Sequence, residues 1–186
     1  EISSCDWSSD VCSSDLVLVQ NAGTNFPKAL GDLALEDWRF LMATNAESTF
    51  LGARAALPLG THSRKHCEHC RNQRAGWGPP VHCLQRGQGA VVNFTRGLAV
   101  ELGDRGIRVN AIAPTLTVDD ALANTPGVNS WLEKAATRQA LAGHATPDDV
   151  AAAAAFLASD DARFITGVIL PLDGGVSAFS GQAEFL

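Results

Sequence analysis

Histidine and cysteine crowd into one stretch of this chain. Residues 60–88 carry four of its five histidines and three of its five cysteines. The members are His62, His66, Cys67, His69, Cys70, His82 and Cys83. Cys67-x-x-Cys70, followed about a dozen residues on by His82 and Cys83, has the spacing of a zinc site, and zinc accepts four such nitrogen and sulfur ligands. Alone, the cluster predicts a zinc-binding module; a solvated loop with accidental histidines is the plainer alternative. A second chemical feature is an absence. The chain has no tyrosine, so no phenol can serve as a general acid or base. The third is Asn45, a polar amide on an apolar helical stripe, which needs a buried partner.

The elements that would hold these groups follow from periodicity. Leu16-Val17-Leu18-Val19-Gln20 is a short β-branched apolar run that reads as a buried strand, closed by a turn at Asn21-Ala22-Gly23. A long helix is expected over Glu36–Leu57, with Trp38, Leu41, Met42, Thr49, Gly52 and Ala56 on one stripe and Pro58 as its stop. Residues 60–88 show no apolar period, and Trp77 stands beside Pro79-Pro80. Order resumes at Ala90, where Val91, Val92, Phe94, Leu98 and Leu102 make a helix face, with Gly103 and Gly106 at its exit. Ile107–Ile112 reads as a strand ending at Pro114. A weaker helix is expected over Asn129–Leu141. Thr146-Pro147-Asp148-Asp149 then starts another, with a capping hydroxyl, a first-turn proline and two carboxylates on the positive end of the dipole. Phe164–Leu172 gives a last strand, stopped by Asp173-Gly174-Gly175. Strands alternating with such helices predict an α/β fold, a parallel sheet covered on both faces.

Composition sets the outer limits. The 186 residues, 46% hydrophobic with a net charge of −6, suit one soluble domain that can bury a core without disulfides. An acidic balance gives no footprint for nucleic acid or an anionic membrane. The most apolar window, Val150–Ala158, is far short of the roughly 18 residues a spanning helix needs. The expected location is the cytoplasm. Five cysteines, an odd count, argue against a closed disulfide framework. Residues 1–16 have neither helical nor strand period and read as a non-native or disordered leader. Asp6–Leu16 (D-W-S-S-D-V-C-S-S-D-L) resembles a translated sequencing-adapter oligonucleotide, so the segment is excluded from the fold. The domain reading therefore starts at residue 17 and runs to 186, with 60–88 aberrant.

Four segments carry a resemblance: V-L-V-Q-N-A-G, W-R-F-L-M-A-T-N-A-E-S-T-F, G-I-R-V-N-A-I-A-P and F-I-T-G-V-I-L-P-L-D-G-G. In this order and spacing the chain resembles the short-chain dehydrogenase/reductases over about 15–58 and 89–179. Within that family it is most similar to the bacterial type that includes 3-oxoacyl-carrier-protein reductases and glucose or alcohol dehydrogenases. The resemblance implies a Rossmann-type, doubly wound parallel sheet binding NAD or NADP at the carboxyl ends of its strands. It implies hydride transfer between the nicotinamide and a small carbonyl or alcohol substrate, and a homotetramer. It further implies a tyrosine acid/base with its pKa lowered by a lysine, a serine holding the substrate oxygen and an asparagine ordering a water.

Carried over residue by residue, Asn21, Ala22 and Gly23 match the motif beside the cofactor, and Asn45 matches the catalytic asparagine. Asn110 matches a structural asparagine. Pro114, Thr115 and Thr117 match the loop contacting the nicotinamide carboxamide, although the family usually has glycine at the place of Thr115. Asp173-Gly174-Gly175 is a turn rather than a catalytic element. Two departures are severe. The family's opening strand, its glycine-rich phosphate turn and two further strands have no counterpart here, so the sheet is expected to be incomplete, with its first three strands missing. The serine and the Y-x-x-x-K pair belong within 60–88, and neither is there.

A shift of frame accounts for more of 60–88 than a metal does. Codons for Val81 through Gln88, read one base later, can spell S-T-A-Y-S-A-A-K, with the tyrosine codon straddling Leu84 and Gln85. Those over Lys65, His66 and Cys67 can spell N-I-A, which resembles the family's next strand. The leading expectation is thus a truncated, frame-damaged NAD(P)-dependent oxidoreductase, marginally folded and without turnover as written. The rivals are the zinc module and a non-catalytic α/β domain that associates with intact family members. No metal is expected in the first reading.

Overall fold

The computed structural model describes residues 17–24, 28–60, 66–70, 82–115, 117–123, 125, 128, 132–133 and 136–178. The leader, His62 and the segment around Trp77 lie outside them. Four parallel strands form one sheet in the order β1-β2-β3-β4: β1 Val17–Gln20, β2 His66–Cys70, β3 Arg108–Pro114 and β4 Ile169–Leu172. Registers run straight across, Leu18 to Cys67 to Val109, and Ala111 to Ile169.

Side chains alternate along β3, so Val109 and Ile112 lie on opposite faces. On the Val109 face pack Ala53 together with Leu98, Ala99 and Leu102. Ala53 belongs to α2, Ser48–Ala56, and the others to α3, His82–Leu102. On the Ile112 face pack Val150, Ala153, Ala154 and Leu157 of α5, Pro147–Ala158. Both faces of the sheet are therefore covered, as the strand–helix alternation predicts. All strands step in one direction, so a change of face is a change of hand. The crossover from β3 to β4 has the opposite hand to the two before it, in a class of connection that is right-handed about 98% of the time.

The long helix is not uniform. α1, Leu35–Met42, passes into a π turn at Ala43–Glu47 before α2 begins. Its buried stripe is Leu41, Asn45, Thr49 and Ala53, a spacing of four. In an ordinary helix that spacing drifts about 40° per step, because a turn takes 3.6 residues. The wider π turn takes up the drift and holds Asn45 on the buried face. The hydroxyls of Ser48 and Thr49 donate back to the carbonyls of Thr44 (2.6 Å) and Asn45 (3.0 Å).

Three expectations need correction. Residues 60–88 show no apolar period, yet His66–Cys70 within them pairs as a strand with both β1 and β3. Backbone groups make a ladder whatever their side chains, although H-C-E-H-C lacks the Val/Ile/Leu run usual in a central parallel strand. β2 is where local preference and global fold disagree. α3 starts at His82, eight residues before Ala90. The last strand is Ile169–Leu172 only, because Gly167 takes φ +73° and breaks the extended run from Phe164. The helix expected over Asn129–Leu141 lies partly outside the described residues, and 137–143 is turn and bend. A short α4, Asp120–Ala123, appears ahead of it.

The run expected as a buried strand is instead the outer strand of the described sheet, with Val17 44% and Val19 50% exposed, because no described strand lies beyond it. The Thr146 hydroxyl caps α5, accepting from the Asp149 N–H at 3.4 Å and donating to Asp149 Oδ2 at 2.7 Å. The Thr146 N–H also donates to Oδ2, at 2.8 Å. These bonds, that from the Thr146 backbone first, hold the Asp149 carboxyl below the ordinary 3.8. Its contribution is thus fully present above that value and is lost as pH falls through the lowered folded value. Thr146→Ala should cost about 1 kcal/mol in a urea titration; an unchanged midpoint would show that the cap does not hold this helix.

Candidate functional site

The carboxyl ends of β1 and β3 open on a cavity of about 460 Å³. Asn21 lines it just beyond β1, and Pro114, Thr115 and Thr117 line it at and after the end of β3. These residues are more than ninety apart in sequence and meet because a parallel sheet puts all its carboxyl ends on one side. Ala22 and Gly23 are not among the lining residues. They carry the chain on to Thr24, which Asn45 grips from both sides. Thr24 N–H donates to Asn45 Oδ1 (3.1 Å), while Asn45 Nδ2 donates to the Thr24 carbonyl (3.0 Å) and the Leu41 carbonyl (2.9 Å). At 4% exposure, Asn45 has both amide hydrogens and one acceptor position engaged by backbone. Its own carbonyl accepts the Thr49 hydroxyl.

Thr115 is buried and its N–H donates to the Leu172 carbonyl (3.0 Å), so that amide belongs to the β3–β4 seam rather than to the cavity. Thr117 is half-buried, donates to the Thr115 carbonyl at 3.4 Å, and bridges in parallel to Ala145. Asn110, fully buried, joins β3 to the chain before β4: its Nδ2 donates to the Ile165 carbonyl (3.0 Å), and its Oδ1 accepts from Val168 N–H (3.1 Å). Asp173 makes a turn, as expected, with its carboxylate accepting from Gly175 N–H (3.0 Å) and Ser177 N–H (2.9 Å).

Residue reading missed six of the ten residues of the cavity wall. Val19, Asp119, Pro147, Val150, Ala151 and Ala154 complete it. The last four share one face of α5 by helical spacing, a signal present in the sequence, but nothing there says which face meets β1.

The backbone of Cys67–Cys70 is a strand. An extended run of three residues separates the two Cα atoms by about 10 Å, whereas two thiolates share one ion about 2.3 Å away only where the chain folds back between them. Among the described residues, no three His, Cys, Asp or Glu side chains gather as a metal site. No helix there is long and apolar enough to cross a membrane.

A family model described as Enoyl-(Acyl carrier protein) reductase matches residues 14–177. The chain is 34% identical to meso-2,3-butanediol dehydrogenase of Serratia marcescens over 178 residues, 91% of this chain and 67% of that protein. The chain belongs to the short-chain dehydrogenase/reductase family. Among solved structures of the kind, an oxidoreductase of the short-chain dehydrogenase/reductase family from Burkholderia thailandensis superposes with a TM-score of 0.78 at 32% identity. That match covers 88% of this chain and 64% of the other. ElxO with NADP bound gives the same TM-score at 27% identity, over 88% of this chain and 67% of its own. The chain thus spans about two thirds of the length of the family members it matches.

The family's nucleotide has two unlike ends, and this cavity suits one of them. Its apolar wall and few polar groups fit an aromatic ring with a carboxamide. Its phosphates find no seat among the described residues. The one long helix that starts at the cavity, α5, has proline first, its Asp149 N–H taken by Thr146, and carboxylates at Asp148 and Asp149. In this short-chain dehydrogenase/reductase chain, residues 82–88, part of the stretch from Val81 whose codons read one base later can spell S-T-A-Y-S-A-A-K, form the first turns of α3. β2 begins at His66, within the Lys65–Cys67 stretch whose codons can spell N-I-A in that frame.

Proposed function

We propose that this chain is a piece of an NAD- or NADP-dependent oxidoreductase acting on a small alcohol or carbonyl compound. When bound, the nicotinamide would supply a hydride acceptor or donor for that carbon. The observation that carries the reading is the shared cavity of Asn21, Pro114, Thr115 and Thr117 at the carboxyl edge of the sheet. Asn21 and Thr117 would present polar groups to the carboxamide, Pro114 would shape the ring's pocket, and Thr115 would fix the loop to β4. Asn45 would act as a positioning residue by holding Thr24 and, through it, the turn at Asn21–Gly23.

Proton transfer lacks its agent. With no tyrosine in the chain, and the family's serine and lysine absent from their places, the leaving or arriving proton of the alcohol has no acid/base. The purified 186-residue chain should therefore show no NAD(P)H oxidation above a protein-free control with small ketones, aldehydes or diols. Turnover that survives gel filtration and tracks the protein peak would overturn the reading. A parent gene restored to the S-T-A-Y-S-A-A-K frame, at its full length, is where activity and the family's homotetramer belong.

A further inference from the structure

The cavity at the ends of β1 and β3 carries an unbalanced charge. Its described wall consists of Val19, Asn21, Pro114, Thr115, Thr117, Asp119, Pro147, Val150, Ala151 and Ala154, and Asp119 is the sole ionisable side chain among them. No lysine, arginine or histidine faces it from these residues. Asp119 Oδ1 accepts from Leu122 N–H at 2.7 Å, which anchors the carboxylate at the start of α4, and its side chain stands in solvent at the mouth. Asn21 and the threonines are neutral. From the described residues, a ligand entering here therefore meets one negative charge and no positive one.

We infer that Asp119 is a specificity determinant that makes this cavity prefer a cationic aromatic ring, the oxidised state of nicotinamide, over the neutral ring. The inference rests on the nicotinamide reading above and adds a sign of charge to it. Oxidation of the ring creates a positive charge, and the carboxylate attracts that charge without touching the uncharged ring. Because Asp119 is exposed, the attraction is that of a surface ion pair, worth on the order of a two- to fivefold change in dissociation constant. Salt should weaken it over a screening length of about 10 Å at 0.1 M. The same carboxylate repels anions.

The test compares 1-methylnicotinamide, a fixed cation, with neutral nicotinamide, both titrated by NMR onto the whole chain at low salt. The expected result is tighter binding of the cation by about two- to fivefold, a preference that shrinks in 0.5 M sodium chloride. Asp119→Asn and Asp119→Ser should each bind the two rings equally, since both retain a side-chain oxygen for the Leu122 N–H. Equal binding by the parent chain, or a preference that persists in both variants, would overturn the role of Asp119 while leaving the nicotinamide reading in place. Binding of neither ring would overturn both.

Discussion

Asn45→Asp should remove the folded state at neutral pH. The substitution changes one atom, but aspartate cannot donate, and its second oxygen would face the carbonyls of Thr24 and Leu41 at about the present 3.0 and 2.9 Å. A buried charge without a partner costs about 3–5 kcal/mol, which rivals the whole stability of a modest domain. The damage has a direction in pH. Burial and the facing carbonyls raise the carboxyl's folded pKa, so the penalty is complete above that value and eases as pH falls and the group regains a proton to donate. Circular dichroism with urea, at neutral and acidic pH, reads both effects. A variant that unfolds within 1 kcal/mol of the parent at pH 7 would mean that the Thr24 clamp does not hold the β1 turn.

The second large effect is expected at Asn110→Ala. Asn110 has no exposed surface and links β3 to the segment ahead of β4 through Ile165 and Val168. Truncation leaves a partly buried carbonyl and a partly buried N–H without Asn110 as partner and opens a void, together about 2–4 kcal/mol. The loss should be local before it is global. The amide of Val168 should exchange with solvent much faster, while those of Leu98 and Leu102 in α3 change less. Uniformly faster exchange across the domain, or no change at Val168, would contradict a rivet confined to the β3–β4 seam.

How far the residues foretold the structure depends on whether the signal was local. The cap at Thr146 is a local device, and α5 starts where it says. β1 carries the apolar run Val17-Leu18-Val19 and β3 a mostly apolar one interrupted by Asn110, and both strands stand where those runs lie. β2 was unreadable because its pairing comes from its neighbours and not from H-C-E-H-C itself. The helical stripe through Asn45 was visible, but the π turn that keeps it on one face is a backbone adjustment with no residue signature. Part of the cavity was legible for a related reason. Asn21, Pro114 and Thr117 belong to motifs, whereas Asp119 and the α5 face reach the cavity only by tertiary placement.

The place of β1 as the outer of the described strands has a consequence for the chain in company. Among the described residues, Val17 and Val19 stand about half exposed on this outer strand, the kind of apolar edge onto which another strand can add. When two molecules meet edge to edge, the encounter rate rises with the square of concentration. Self-association should then depend more on concentration than on temperature, and a preparation that is clear when dilute should cloud as it is concentrated.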